Sequence, residues 1–136
     1  MLTNRSMPMG TVIPVLAYAD VSEAAAWLFE AFGFTIRLRI GNHRIQLNAG
    51  EDGAIVLTES SDAATAGDSV MVRVEDVDAH HQRASEHGAR ILSGPTDFPY
   101  GERQYSAVDL AGHQWTFSQS IADVDPRDWG GELVNP

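Results

Sequence analysis

The sequence predicts an α+β fold in which two β-α-β-β-β modules form paired half-barrel mixed sheets around a cleft. The main observation is an internal repeat within 136 residues. An apolar strand pattern starting at Val15 leads into an alanine-rich helical run that stops at Gly33, and the same order recurs from Met71 to Gly88. Short alternating segments follow in both copies. This length suits one domain with two packed halves.

The first module is predicted over residues 11–59, and its helix has clear boundaries. Asp20 can cap the helix, with Glu23 at capping-box spacing and Gly33 after the last turn. Three strands should follow the helix, at residues 34–40, 43–48 and 53–59. Mixed polar faces of these strands should line the cleft, with Arg37 or Arg39, Gln46 and Asn48 among them.

A small polar stretch, residues 60–68, is predicted to link this module to a second one over residues 69–119. In the second helix Asp76 is the predicted cap and Gly88 the stop. Strands are predicted at residues 70–74, 89–92, 103–109 and 112–119. Residues 93–101 are predicted to form a loop at the cleft mouth, and residues 120–136 to form a tail with a short helical start at Pro126.

The charge and cysteine content exclude several functions. A formal net charge of −10 argues against binding to nucleic acid and to anionic membranes, because both require clustered Lys and Arg. The same charge favours a cationic small molecule. With no cysteine, the chain cannot build a disulfide framework or a thiolate metal site. The first ten residues lack the apolar stretch of a signal peptide, and a cytoplasmic location is expected.

Two sequence stretches carry a resemblance to a known family. One is Asp20 with the helix that ends in Ala31-Phe32-Gly33. The other runs from Tyr100-Gly101 through Asp109 and Gly112-His113 to Trp115-Thr116-Phe117. Together with the repeat, they make residues 11–120 resemble the vicinal oxygen chelate superfamily, which groups glyoxalase I, extradiol dioxygenases, fosfomycin-resistance enzymes and bleomycin-resistance proteins. The resemblance implies the fold, but one fold hosts many functions.

The resemblance also implies where a metal ion would be held in an enzyme of this superfamily. Such enzymes use His, Gln and Glu side chains from four strands that face the cleft. The matching positions here are Ile13, Ser69 and Thr116, with Val56 or Leu57 on the fourth strand. Hydrocarbon side chains and weak hydroxyl donors do not hold a divalent ion. We therefore predict no metal ion in the superfamily's site and no other cofactor.

Residues near the predicted cleft mouth and on its mixed faces are the candidates for ligand binding. Aromatic side chains can stack on a planar ligand, arginines can pair with its acidic groups, and hydroxyl or amide groups can orient it. No catalytic group is identifiable, although His43 and Glu102 are candidates for acid–base chemistry. The predicted ligand-binding residues are Phe98, Tyr100, Arg73, Tyr105, Arg103, Gln114, Ser69 and Thr116.

The sequence leaves three functions open. The first is a metal-independent, homodimeric protein that binds a small organic molecule and sequesters a drug or metabolite. The second is a metal-dependent lyase or isomerase of the glyoxalase kind, or an extradiol dioxygenase. The third is a dimeric interaction module without a ligand, which a cleft filled by the chain itself would favour.

Overall fold

The computed structural model describes residues 4–8, 10–60 and 69–133, and it confirms the predicted α+β fold of two repeated modules. The predicted linker lies almost wholly outside the described residues. The first module contains β1 (Val15–Tyr18), α1 (Val21–Phe32), β2 (Thr35–Ile40), β3 (Arg44–Ala49) and β4 (Gly53–Glu59). The second contains β5 (Ser69–Arg73), α2 (Val77–Glu86), β6 (Arg90–Phe98), β7 (Glu102–Val108) and β8 (Gln114–Ser120), and a 3-10 helix, Pro126–Trp129, follows in the tail.

Both helices begin as the sequence predicts. The Asp20 carboxylate accepts a hydrogen bond from the Glu23 amide at 3.0 Å, and Asp76 accepts one from the Ala79 amide at the same distance. Each bond satisfies an amide that has no partner within the first helical turn. Gly33 ends α1 in the left-handed region, at φ 80°, where a residue without a Cβ is favoured.

Each module forms its own four-stranded mixed sheet. The strand orders are β1-β4-β3-β2 and β5-β8-β7-β6. In both sheets the first strand pairs in parallel with the last strand of its module, and the other neighbours are antiparallel. The identical order confirms that the repeat in the sequence is a repeat in the fold. The two sheets do not close into one barrel.

The core joins both modules and leaves each sheet with one polar face. Helices α1 and α2 pack on each other, and a single buried cluster unites Leu47 and Leu57 of the first sheet with Trp115 and Phe117 of the second. Because side chains alternate along a strand, the residues between these apolar ones lie on the side of the sheet that is turned away from the cluster. These outer sides are called the first and second polar faces below.

The strand β6 corrects one prediction. The sequence predicts a strand at residues 89–92 and then a loop over residues 93–101, because Ser93-Gly94-Pro95 resembles a turn, but β6 runs from Arg90 to Phe98. Its pairing with β7 shifts register twice, between Ile91 and Ser93 and again before Thr96. As β6 is an edge strand, Pro95 and the bulges are tolerated there without breaking a ladder on both sides.

Within the described residues, neither helix is long and apolar enough to cross a lipid bilayer.

Candidate functional site

The second polar face is built by the alternation of three adjacent strands. In β8, Trp115 and Phe117 point into the core, so Gln114, Thr116 and Ser118 lie on the polar face. The residues that pair with them in the two neighbouring strands share this face. The strand β5 contributes Ser69, Met71 and Arg73, and the strand β7 contributes Ser106 and Gln104. Glu102 of β7 pairs with Ser120, two residues beyond Ser118, and these two lie on the same face.

A continuous hydrogen-bond network crosses this face. The Tyr100 hydroxyl donates to Oε1 of Gln104 at 3.2 Å, and Nε2 of Gln104 donates to the Ser118 hydroxyl at 3.0 Å. Ser118 in turn donates to Oε1 of Glu102 at 2.7 Å. Each member fixes the orientation of the next, so the polar groups are held in place before any ligand arrives.

The negative charge of this network is on Glu102. Burial alone raises the pKa of the Glu102 carboxyl, but hydrogen bonds from Ser120 and Ser118 and the nearby charge of Arg73 outweigh it and leave the pKa below its usual value. Glu102 is therefore an ionised hydrogen-bond acceptor at neutral pH. A carboxyl group of this kind is a weak general base and is well suited to binding a cation.

Three aromatic rings stand at one end of the second polar face. Phe98 pairs with Glu102 across the β6–β7 hairpin, and its ring stacks on Tyr100 at 5.4 Å and 11°. Trp129 of the 3-10 helix meets the Tyr100 ring edge-on at 5.5 Å. Phe98 is 37% exposed and Trp129 44%. This aromatic group, Phe98, Tyr100 and Trp129, offers a planar apolar surface beside the polar network.

A cleft of about 800 Å³ opens between the two modules, next to one end of the network. Phe32 and Phe34 of the first module and Val72 and Val74 of the second make its apolar walls. Arg73 and Ser120 line it as well, so the cleft and the second polar face share two residues. Carboxyl groups stand at its rim on Glu51, Asp52 and Glu75.

His80 forms part of the cleft wall, and its contacts settle its tautomer. Nε2 of His80 lies 3.1 Å from the Phe32 carbonyl oxygen, which can only accept, so the proton is on Nε2. Nδ1 then accepts from the Tyr105 hydroxyl. Burial lowers the pKa of His80 to about 4, with a smaller effect of Arg83 in the same direction. His80 is thus neutral at pH 7 and has both ring nitrogens occupied.

The comparison with known proteins identifies the family. The sequence model of one protein family, the Glyoxalase/Bleomycin resistance protein/Dioxygenase superfamily, matches residues 11–117. The chain belongs to this superfamily. Its match to the model starts at Thr11 and ends at Phe117, so both modules are included.

Solved structures of the superfamily fold extend the comparison. TioX from Micromonospora sp. ML1 is 34% identical, with 82% of this chain and 99% of TioX covered and a TM-score of 0.70. A glyoxalase/bleomycin resistance protein/dioxygenase from Nocardioides is 17% identical, with 94% and 91% covered and a TM-score of 0.68. At that identity the second likeness concerns the fold alone.

Among curated proteins, the chain is similar to an uncharacterised protein of Mycobacterium bovis. The two are 33% identical over 57 residues, which is 42% of this chain and 38% of the mycobacterial protein. The matched part thus spans little more than a third of that relative's length. This likeness carries no information on activity.

The superfamily's metal positions do not fit a divalent ion in this chain. Val56 pairs with Gln46 on the first polar face, whereas Leu57 lies in the core, which settles the register that the sequence left open. Ser69 and Thr116 lie on the second polar face, on a different sheet. The Thr116 hydroxyl is engaged with the Ser106 hydroxyl at 2.9 Å. Ile13 precedes β1. None of these side chains is a nitrogen or carboxylate donor.

Other metal-binding groups are also dispersed. Across residues 4–8, 10–60 and 69–133, no three His, Asp or Glu side chains come close enough together to hold an ion.

The structure brings most of the predicted ligand-binding residues together. Six of the eight lie on the second polar face or in its aromatic group, and Glu102 joins them. Tyr105 and Arg103 do not. Tyr105 is fully buried in the core beside Phe117. Arg103 lies outside the polar face and pairs with Asp78 and Asp97 at 3.0 and 2.9 Å. The six are Phe98, Tyr100, Arg73, Gln114, Ser69 and Thr116.

His43 is separate from this site. It lies exposed in the turn between β2 and β3 of the first sheet, whereas Glu102 lies on the second. The two candidates for acid–base chemistry therefore do not form a pair.

The sequence prediction missed Gln104, at the centre of the network. Alternation in β8 does place Ser118 on the same face as Gln114 and Thr116, but neither Ser118 nor Trp129 is among the predicted ligand-binding residues. Alternation along β7 was the available signal for Gln104. Because Tyr105 and Ala107 share the core face of that strand, Gln104 must lie on the opposite face. Nothing in the sequence indicated that Trp129 of the tail would contact Tyr100.

Proposed function

We propose that this chain is a small-molecule-binding protein of the glyoxalase/bleomycin-resistance type that works without a resident metal ion. Its ligand would lie on the second polar face, with the aromatic group at one end. The observation that carries this proposal is the hydrogen-bond network from Tyr100 through Gln104 and Ser118 to Glu102. A preorganised polar network beside exposed aromatic rings is typical of sites that bind organic molecules.

The ligand we expect is a planar organic cation. The aromatic group provides faces on which a flat ring system can stack, and a cation adds an electrostatic attraction to those faces. Glu102 is ionised at neutral pH and supplies a second attraction. A formal net charge of −10 increases the encounter rate with cations over the whole surface. Sequestration of a drug or metabolite of this class, in the cytoplasm, is the role that these features support.

A homodimer would make this site more enclosed. The two polar faces of one chain are turned away from the shared core, so they do not enclose a ligand between them. A second copy placed against the second polar face would cover Met71, which is 62% exposed. Burial of such apolar surface is a driving force for association. We therefore include a homodimer in the proposal.

Ligand titration with fluorescence and calorimetry tests the proposal. The panel contains bleomycin-class compounds, planar organic cations, and neutral or anionic molecules of the same size. Binding at the proposed site quenches the fluorescence of Trp129, and Trp129→Phe removes that signal while leaving the heat of binding. Tyr100→Ala should weaken binding roughly 5- to 30-fold, because stacking on one ring contributes about 1–2 kcal/mol.

Phe29→Ala is the matched control, since Phe29 is an exposed aromatic residue of α1 outside the site, at 47% exposure. The affinity of this variant should equal that of the wild type. No heat across the whole panel, or equal affinities of the Tyr100 and Phe29 variants, would contradict the proposal.

Metal analysis distinguishes this proposal from a metal-dependent lyase, isomerase or dioxygenase. The protein is incubated with Ni, Zn, Fe or Mn salts, desalted and measured for bound metal. Stoichiometric retention of one metal, with turnover of a glyoxalase or catechol substrate, would favour the enzyme.

A further inference from the structure

The first polar face carries a different kind of contact, which involves residues 4–8 of the chain itself. Nη2 of Arg37 donates to the Arg5 carbonyl oxygen at 2.9 Å, and Nε2 of Gln46 donates to the Ser6 carbonyl oxygen at 2.9 Å. Pro8, the last residue of this segment, is buried. The segment therefore lies on the sheet, fixed through its backbone rather than through its side chains.

The segment binds as a turn. The Met7 amide donates to the Asn4 carbonyl at 3.1 Å, which closes a four-residue β-turn, and the Asn4 side chain accepts from the Ser6 amide at 3.1 Å. This turn uses the carbonyl of its first residue internally. The carbonyls of its two central residues, Arg5 and Ser6, have no partner within the turn and need donors from elsewhere.

The sheet presents two donors in a fixed arrangement. Nη1 of Arg37 donates to Oε1 of Gln46 at 2.5 Å, so the guanidinium and the amide hold each other in place. The remaining donors, Nη2 of Arg37 and Nε2 of Gln46, each bind one of the two central carbonyl oxygens of the turn. Gln46 is only 3% exposed. A buried amide and a guanidinium aimed at adjacent backbone carbonyls form a site that is specific for backbone geometry.

We propose that the first polar face is a second binding site, specific for a peptide β-turn through its two central carbonyl oxygens. In the free protein, residues 4–8 of the same chain occupy it as an internal ligand. A turn from another peptide that offers two carbonyls in the same arrangement competes for it. The proposal does not depend on the ligand of the second polar face, since it concerns the other sheet and other residues.

Trypsin cleavage of the full chain tests the occupancy. The Arg5–Ser6 bond lies between the two bound carbonyls, and a protease needs it detached and extended. The rate of release of residues 1–5, followed by mass spectrometry, therefore reports the fraction of detached turn. Gln46→Leu and Arg37→Ala should each increase this rate on the order of tenfold. Each substitution removes one hydrogen bond to the turn and also releases the other donor side chain, which the Arg37–Gln46 hydrogen bond holds in place.

Arg39→Ala is the matched control, since it removes the same charge from the other face of β2. The pairing of β2 with β3 shifts register between Ile36 and Leu38, so Arg39, two residues after Arg37, pairs with Ile45 on the core side of the sheet; it is exposed. Its rate should equal that of the wild type. Thermal melts are recorded for all variants, and Arg37→Ala replaces Gln46→Leu where the latter does not fold. Equal rates for Arg37→Ala and Arg39→Ala would overturn the proposal.

Competition tests the specificity. An acetylated Asn-Gln-Ser-Met-Pro amide keeps the turn but cannot be cut by trypsin. Added at millimolar concentration, which matches the effective concentration of a tethered segment, it should speed release of residues 1–5 in the wild type. A peptide of the same composition in scrambled order should not. Equal effects of both peptides would overturn the proposed specificity of the site. A rate of release of residues 1–5 that falls with rising protein concentration would show that the turn comes from another copy of the chain, and would overturn its occupancy by the same chain.

Discussion

The hydroxyl of Tyr18 donates a hydrogen bond to Oδ2 of Asp109 at 2.6 Å, and this contact joins the first module to the second. Both residues are buried, at 1% and 5% exposure. The same carboxyl group also accepts bonds from the Trp115 indole and from the amides of Ala111 and His113. Burial, followed by the nearby Asp109, raises the pKa of the Tyr18 phenol. Tyr18 therefore remains a donor over the whole accessible pH range.

The first prediction concerns this junction. Tyr18→Phe should lower the free energy of unfolding by about 1.5–3 kcal/mol, because a buried carboxyl group loses a donor. Asp109→Ala should cost at least about 3 kcal/mol, since it leaves four donors without their acceptor. Urea unfolding measures both. Tyr100→Phe is the control, as its hydroxyl is only partly buried, and a loss as large as that of Tyr18→Phe would contradict the assignment.

The second prediction is a pH dependence caused by His80. Its pKa is about 4 in the folded protein and 6.5 as a free side chain, and burial is the main cause. Between these two values the unfolded chain binds a proton that the folded chain does not. Stability is therefore full above pH 6.5 and falls as the pH decreases to 4, by about 3 kcal/mol.

Urea unfolding from pH 7 to 4 in the wild type and in His80→Gln measures this contribution. The variant should show a shallower loss between pH 6.5 and 4, whatever its stability at pH 7. His43→Gln is the control for replacing a histidine, because His43 is exposed in the turn between β2 and β3. Parallel curves of unfolding free energy against pH for the wild type and His80→Gln would contradict this assignment, because they would mean that His80 is protonated to the same extent in the folded and unfolded chains.

Local patterns predicted the helices and most of the strands. The N-caps Asp20 and Asp76 and the stop at Gly33 follow from hydrogen bonds and backbone angles within a few residues, so the sequence contains them directly. The start of β6 is predicted, but its continuation through residues 93–98 is not, because its turn-like Ser93-Gly94-Pro95 is tolerated only at a sheet edge, and the edge position depends on the whole sheet.

The candidate site was predictable only in part, for a related reason. Alternation applied to β8 placed Gln114 and Thr116 correctly on one face. The same rule applied to β7 excludes Tyr105 and Arg103, although their chemistry and their closeness to the predicted loop favour a ligand contact. The contact of Trp129 with Tyr100 joins the tail to a hairpin, and no periodicity within one segment contains it.

The third prediction concerns the contact between the helices. Nε and Nη2 of Arg83 in α2 donate to the carbonyls of Glu30 and Phe29 at 2.9 and 2.7 Å. Both carbonyls belong to the last turn of α1, where few helical amides remain to bond them, and that of Phe29 also accepts from the Gly33 amide at 3.0 Å. Arg83→Ala should therefore lower the free energy of unfolding by roughly 1–2 kcal/mol.

Arg83→Lys should recover little of that loss, since a single ammonium group cannot reproduce the planar fork of the guanidinium. Arg90→Ala, at an exposed position of β6, is the control for the loss of charge. Thermal and urea unfolding measure all three variants. Full recovery by Lys would show that the charge alone matters.

The last prediction compares two glycines with the same backbone angle. Gly101 and Gly88 have φ values of +85° and +84°. A Cβ at Gly88 meets nothing within 4 Å, whereas at Gly101 it would lie 2.5 Å from the Ala122 carbonyl oxygen. Gly88→Ala should therefore cost only the backbone strain, about 1 kcal/mol. Gly101→Ala should cost about 1–3 kcal/mol more, because the tail must move away from a rigid turn.

This comparison also tests the link between the tail and the aromatic group. The amides of Ile121 and Ala122 donate to the Gly101 carbonyl, and the tail then continues to Trp129. Displacing residues 121–124 should separate Trp129 from Tyr100 and shift the emission of Trp129 toward that of an indole in water. Gly88→Ala should leave the emission unchanged. An unchanged spectrum in a destabilised Gly101→Ala protein would show that Trp129 is positioned independently of the turn.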